Sequence, residues 1–177
     1  MGSRTNGVGG PKVQSITEFL KWLETTPVAI FVSHSPWGFS AILMLHMAAI
    51  TVVFGMIAVV DLRLLGLASR KCAVTDLCRE ALPWTWGAFV VSVFTGVLLF
   101  VAQPVKYVDN HAFQMKFLLM GLAGINMLAF QLVTYRGVAA WDRDAAVPLA
   151  GKLAGAISLA AWIAVVAYGR WTAYFMV

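Results

Sequence analysis

The chain has 177 residues, of which 60% are hydrophobic and only 12% charged, with a mean hydropathy of +0.81. Such a composition excludes a water-soluble globular domain and belongs to the membrane class. The net charge of +5 comes without a dense basic run, so it reads as topology determinants and lipid-headgroup contacts, with no nucleic-acid surface.

Residues 1–14, opening MGSRTNGVGGPK, read as a flexible tail without the apolar core or small-residue cleavage site of a secretory signal. Ser15-Ile-Thr-Glu18 has the form of a capping box. Ile16, Phe19, Leu20 and Leu23 follow at helical spacing, and Thr25-Thr26-Pro27 stops the pattern. Residues 15–26 are therefore expected to form an amphipathic helix in the membrane interface. Val28 to Ser33 is apolar but too short to cross a bilayer.

The remainder, 36–176, reads as one domain of four transmembrane helices. Ser35-Pro36 supplies a cap and a first-turn proline, so the first span is placed at about 36–60. Pro83 opens the second, about 84–103, which Gln103-Pro104 ends. Asp109 or Asn110 caps the third, about 110–135, and Pro148 precedes the fourth, about 148–168, closed by Gly169-Arg170. The expected fold is all-α: an integral membrane four-helix up-down bundle with an N-terminal interfacial amphipathic helix. Trp37, Trp84, Trp86 and Trp171 fall near span ends, as an aromatic belt requires.

Loop charges set the orientation. Arg63, Arg70, Lys71 and Arg79 follow the first span and Arg136 and Arg143 the third, against Lys106 and Arg170 on the other side. This places both termini outside, in the periplasm of a bacterium, although Arg4, Lys12 and Lys21 of the N-terminal segment oppose it. Cys72 and Cys78 lie six apart, a spacing that fits neither a redox CxxC nor a zinc site, and read as reduced thiols in a polar loop. Gly151 and Gly155 form a small-xxx-small pair through which the chain can pack its own helices or build a homo- or hetero-oligomer.

The run Trp37 to Val60 contains no Asp, Glu, Lys or Arg, which leaves His46 as its single ionisable side chain. An imidazole there must find a partner or bind something. Haem b in a helix bundle takes two axial ligands, usually imidazoles from different helices. His46 and His111 form the one cross-helix pair that includes a deep histidine, the alternative being a hydrogen-bonded His46 and an interfacial His111. Heights measured from Arg63 and Arg136 set the two about 12 Å apart at 1.5 Å per residue. Met120 is almost level with His46 and is a second candidate ligand; otherwise it is core filler. Lys116 can snorkel outward or anchor a haem propionate or a quinone oxygen. His34 and His111 share the outer depth, so His34, His46 and His111 also form a vertical ladder that a metal site or permease would use. Asn126 and Gln131 can hydrogen-bond across helices. No nucleotide loop, catalytic Ser/His/Asp set, HExxH motif or carboxylate pair is present inside the spans.

The strings Val60-Asp-Leu-Arg-Leu-Leu-Gly66, Leu82-Pro-Trp-Thr-Trp86, Thr95-Gly-Val-Leu-Leu-Phe100 and Phe113-Gln-Met-Lys116, with Leu45-His46 and Asn126, resemble a family of small bacterial four-helix membrane proteins of unknown function. The likeness covers roughly residues 36–140. It implies the fold and a bacterial inner-membrane location, and draws attention to His46, Asp61, Arg63 and Lys116. More loosely the chain is similar to membrane b-type cytochromes, although it lacks the four histidines of the dihaem kind. The function expected from these readings is a haem b-binding subunit passing electrons between a quinone pool and a partner protein. The alternatives are a non-catalytic accessory or assembly subunit and, third, a small-solute or metal permease. Both of the first two readings favour an electron-transfer or accessory subunit over a stand-alone enzyme and leave catalytic turnover open.

Overall fold

The computed structural model describes residues 11–35, 37–68, 72–142 and 146–174. The tail before Pro11, the proline of the Ser35-Pro36 pair, and the topology residues Arg4, Arg70, Lys71 and Arg143 lie outside the described residues. Among the described residues the structure is all-helical. The helices are α1 (Pro11–Glu24), α2 (Pro27–His34), α3 (Gly38–Leu65), α4 (Val74–Ala102), α5 (Pro104–Val108), α6 (His111–Ala129) and α7 (Leu149–Tyr174). A π-helical turn, Phe130–Thr134, and a 3₁₀ segment, Tyr135–Ala140, prolong α6. Four helical stretches are long and apolar enough to cross a membrane: Gly38–Leu65, Val74–Ala102, His111–Ala140 and Leu149–Thr172.

The breaks follow local chemistry. Thr26 caps α2, its hydroxyl accepting from the Ala29 N–H, and Pro27 occupies the first helical turn. Asn110 caps α6 by accepting from the Ala112 and Phe113 N–H groups at 2.9 and 3.3 Å. Gly66 ends α3 in the left-handed region at φ 72°, and the following Leu67 N–H donates to the Leu62 carbonyl. A side chain at Gly66 would be strained there.

Three boundaries differ from the sequence expectation. The first helix starts at Pro11, so Ser15 lies inside it and does not cap it. Pro83 sits within α4, which begins nine residues earlier at Val74. The cap that allows this start comes from far away: Asp142 accepts from the Thr75 N–H at 2.9 Å and from its hydroxyl at 2.5 Å. Pro83 leaves the Arg79 carbonyl without its helical donor, but Arg79 is exposed and water can serve it. Finally, α7 continues through Gly169 to Tyr174. One glycine costs a helix only about 1 kcal/mol, and Thr172 receives an Asn110 Nδ2–H hydrogen bond on its carbonyl at 3.2 Å, which ties the helix end down.

Packing order is α4–α3–α7–α6. Helix α3 packs on both α4 and α7, and α6 packs on α7, while α4 and α6 scarcely meet. Gly155 makes the α3–α7 approach possible, since a Cβ there would stand 3.1 Å from the Asp61 carbonyl oxygen and from Leu64 Cβ. A Cβ on Gly151 would lie 2.8 Å from Val147 and 3.6 Å from Thr134. Both glycines are buried against their own chain. Asn126 Nδ2 donates to the Ala154 carbonyl at 3.0 Å and joins α6 to α7.

The two ends are closed differently. At one, α2 buries Ala29 and Val32 and packs on α4 and α3, and α1 packs on α5. Phe100, Tyr107, Phe113 and Phe117 form a chain of ring contacts there, and burial pushes the Tyr107 phenol up from its ordinary value. At the other end, buried Arg63 donates through Nε to the Cys72 carbonyl (2.8 Å) and through Nη2 to the Asp142 carbonyl (3.1 Å). Leu64, Val74, Trp141 and Val147 pack into a small core beside it.

Candidate functional site

Besides Arg63, two buried polar side chains lie on α3, and their environments differ sharply. His46 is 8% exposed and stands eight residues from the start of the 28-residue α3, closer to its middle than to either end. Its Nδ1 lies 3.0 Å from the Ser92 carbonyl and 3.0 Å from Thr95 Oγ1, both on α4. A carbonyl only accepts, so Nδ1 carries the proton. The Thr95 hydroxyl in turn donates to the Val91 carbonyl at 2.7 Å, leaving a lone pair for the imidazole. Gly96 provides the room for the ring: a Cβ there would stand 3.1 Å from His46 Cε1. This is a hydrogen-bonded interhelical histidine whose Nε2 retains its lone pair.

The partners expected for His46 are elsewhere. His111 is exposed at the first position of α6, beside the capping Asn110. His34 is exposed on α2, with Nδ1 3.0 Å from Ser33 Oγ and 3.2 Å from the Ile30 carbonyl. Among the described residues no three His, Cys, Asp or Glu side chains gather as a metal site, so the three histidines do not converge. The charged side chain from α6 near enough to act electrostatically on His46 is Lys116. Lys116 lies along α7, where a Cβ on Gly169 would be 3.8 Å from its Nζ. The height comparison that set His111 against His46 assumed a uniform rise from Arg136. The π turn and the 3₁₀ segment between Phe130 and Ala140 remove that assumption.

Asp61, about four turns further along α3, is 4% exposed, and its Oδ2 is buried without a hydrogen-bond partner. It lies on the wall of a cavity of about 430 Å³ formed where α4 and α6 fail to meet. That volume falls within the roughly 300–1,000 Å³ of small-molecule sites. The wall is mainly apolar. Helix α4 contributes Leu82, Trp86 and Phe89; α6 and its π turn contribute Met120, Met127 and Phe130; Trp162 comes from α7. Besides Asp61 the polar groups are Thr75, Arg79, Thr85, Asn126, Gln131, Tyr135 and Ser158, with Ser158 facing the Asp61 carboxyl. Met120 therefore lines this cavity, which His46 does not. Cys78, a free thiol, is on the same wall inside α4, not in a loop; Cys72 is free and exposed.

The family resemblance drew attention to Asp61 without giving it a role. One signal was available: a carboxylate one turn inside an apolar span with no lysine or arginine spaced to reach it. Arg63, the nearest cation in sequence, turns away to the loop carbonyls.

Residues 17–175 match the model of DUF6644, a family of unknown function. The chain belongs to this family. No curated protein and no solved structure matches it. The DUF6644 match runs from α1 to the end of α7 and includes both His46 and Asp61.

Proposed function

We propose that the chain is a membrane-embedded binding protein for a lipid-soluble small molecule, which enters from the bilayer between α4 and α6 and rests against Asp61. The observation that carries this reading is the mainly apolar cavity of about 430 Å³ that has the buried acidic residue Asp61 among its lining residues. Ionisable groups inside membranes are costly and mark functional sites. In this reading the four spans form an up-down bundle in a bacterial inner membrane. The arginine-rich end, with Arg63, Arg79 and Arg136, faces the cytoplasm, and both termini face the periplasm. Helix α1 lies in the interface, with exposed Ile16, Phe19 and Trp22 toward lipid. The test is to purify the protein in lipid nanodiscs and identify co-purifying molecules by native mass spectrometry. Gly124 borders the cavity and has open space around it, so Gly124→Leu fills the site. A bound species present in wild type and absent in Gly124→Leu supports the reading; identical spectra for both overturn it.

A second reading, haem b ligation for electron transfer with a partner protein, rests on His46. Its Nδ1–H is held by Ser92 and Thr95, and such a hydrogen bond orients a ligating imidazole and raises the basicity of the other nitrogen. Haem would supply one-electron chemistry, with Lys116 a candidate for a propionate. A Soret band and sharp α-band that vanish in His46→Ala favour this reading. A colourless preparation of full helicity removes it.

A further inference from the structure

We propose that the molecule bound between α4 and α6 is an acidic lipid, an apolar chain with a carboxylate or phosphate head, and that Arg79 holds the head at the rim of the cavity. This rests on the reading of the cavity as a binding site and adds the chemical class of its occupant and the residue that selects it.

Polar and apolar wall groups are segregated along the cavity. Arg79 belongs to the second turn of α4, and Trp86 and Phe89 follow about two and three turns later. On the other wall Gln131 and Tyr135 lie in the π turn and the 3₁₀ segment, and Met120 and Met127 precede them on α6. Tyr135 and Cys78, the residue before Arg79, are near enough to interact electrostatically, so the polar ends of the two walls are neighbours.

This polar end carries uncommitted donors. Arg79 is exposed, and its side chain, like those of Gln131 and Tyr135, makes no hydrogen bond or ion pair among the described residues. A guanidinium presents N–H groups in a planar fork that fits the paired oxygens of a carboxylate or phosphate. Asp61 lines the same cavity but makes no ion pair with Arg79; one of its oxygens is sealed, and Ser158 faces its carboxyl. Asp142 is engaged by Thr75, and Asp76 and Glu80 are exposed and off the wall. Asp144 lies outside the described residues. Arg136, next to Tyr135, is exposed and adds positive charge at this end without lining the cavity. Basic pockets between transmembrane helices on the cytoplasmic side bind lipid head groups of the opposite sign.

The apolar wall suits the rest of such a molecule. Trp86 and Phe89 give flat apolar surfaces, and Met120 and Met127 are flexible enough to fit a chain of variable shape. The open side between α4 and α6 lets the end of the chain remain in lipid while the head reaches Arg79.

The experiment measures binding of dodecyl phosphate, dodecanoate and dodecanol at pH 8 to the full chain in phosphatidylcholine nanodiscs. The proteins are wild type, Arg79→Gln, Arg136→Gln and Gly124→Leu, with empty nanodiscs as the baseline. The probes share one tail, and at this pH both acids are ionised. The expected result is tighter binding of at least one acid than of the alcohol, falling about tenfold in Arg79→Gln, the scale of a charge-assisted hydrogen bond. Arg136→Gln should cost no more than about threefold, the scale of an exposed, screened charge. Dodecanol should bind wild type and Arg79→Gln alike, and Gly124→Leu should lose every probe. The acid whose binding depends on Arg79 distinguishes a phosphate head from a carboxylate. Acids that bind no better than the alcohol, that are indifferent to Arg79→Gln, or that weaken equally in Arg79→Gln and Arg136→Gln overturn the acidic-lipid assignment. If Gly124→Leu still loses every probe, the cavity reading stands. Binding of no probe above empty nanodiscs, or binding untouched by Gly124→Leu, overturns both. Arg79→Gln removes no side-chain hydrogen bond within the described chain, and its folding is checked by its melting temperature.

Discussion

His46 and Asp61 lie on the same helix, are almost equally buried, and live by opposite rules. His46 has its ring nitrogen shared between a carbonyl and a hydroxyl of α4, with a glycine cut to receive the ring. Asp61 has one sealed oxygen without a hydrogen-bond partner, in a residue that lines a cavity. Burial alone therefore does not separate structural from functional polar groups in a membrane helix. Hydrogen-bond satisfaction does, because an unmet donor or acceptor costs more than a met one returns.

The comparison can be broken at either side. Filling the cavity has the largest expected effect: Gly124→Leu abolishes binding of an apolar probe while the protein keeps its helicity, measured by circular dichroism. Next is stability at Asp61. Replacing the unpaired carboxylate by a similar-sized apolar side chain, Asp61→Leu, should raise the unfolding free energy by about 1–3 kcal/mol. At His46 the same logic has the opposite sign. His46→Ala should destabilise by about 1–3 kcal/mol, since it empties the ring's place and leaves the Ser92 carbonyl without its side-chain donor. Thermal melts in one detergent compare the two variants, and a drop for Asp61→Leu equal to that of His46→Ala would erase the distinction. Smallest is the coupling of His46 to Gly96. Gly96→Ala should cost wild type more than it costs His46→Ala, by about 0.5–1.5 kcal/mol, in a double-mutant cycle.

Much of the frame was legible from hydropathy alone. Four apolar runs gave four long helices, and the Thr26-Pro27 and Asn110 signals fell at observed caps. What escaped depended on contacts distant in sequence. Pro83 reads as a helix start, but Asp142 caps Thr75 from the far side of α6 and carries α4 two turns past it. The phase of His111 against His46 escaped because the π turn after Ala129 changes the rise, and no residue pattern announces it. The cavity escaped for a similar reason. Its existence depends on α4 and α6 standing apart, a relation between helices that neither sequence contains. The histidines were read as ligands because they are rare in the chain, whereas Asp61, noted only through the family resemblance, sits near an arginine that turns away.

The most direct test of the central claim is photolabelling in membranes with a lipid-soluble diazirine, mapped by mass spectrometry. The account predicts labels concentrated on cavity-wall residues such as Leu82, Phe89, Met127 and Phe130, and lost in Gly124→Leu. Labels spread evenly over outward residues such as Val90, Phe94, Leu118 and Leu122, with the cavity wall unmarked and no change in Gly124→Leu, would contradict it.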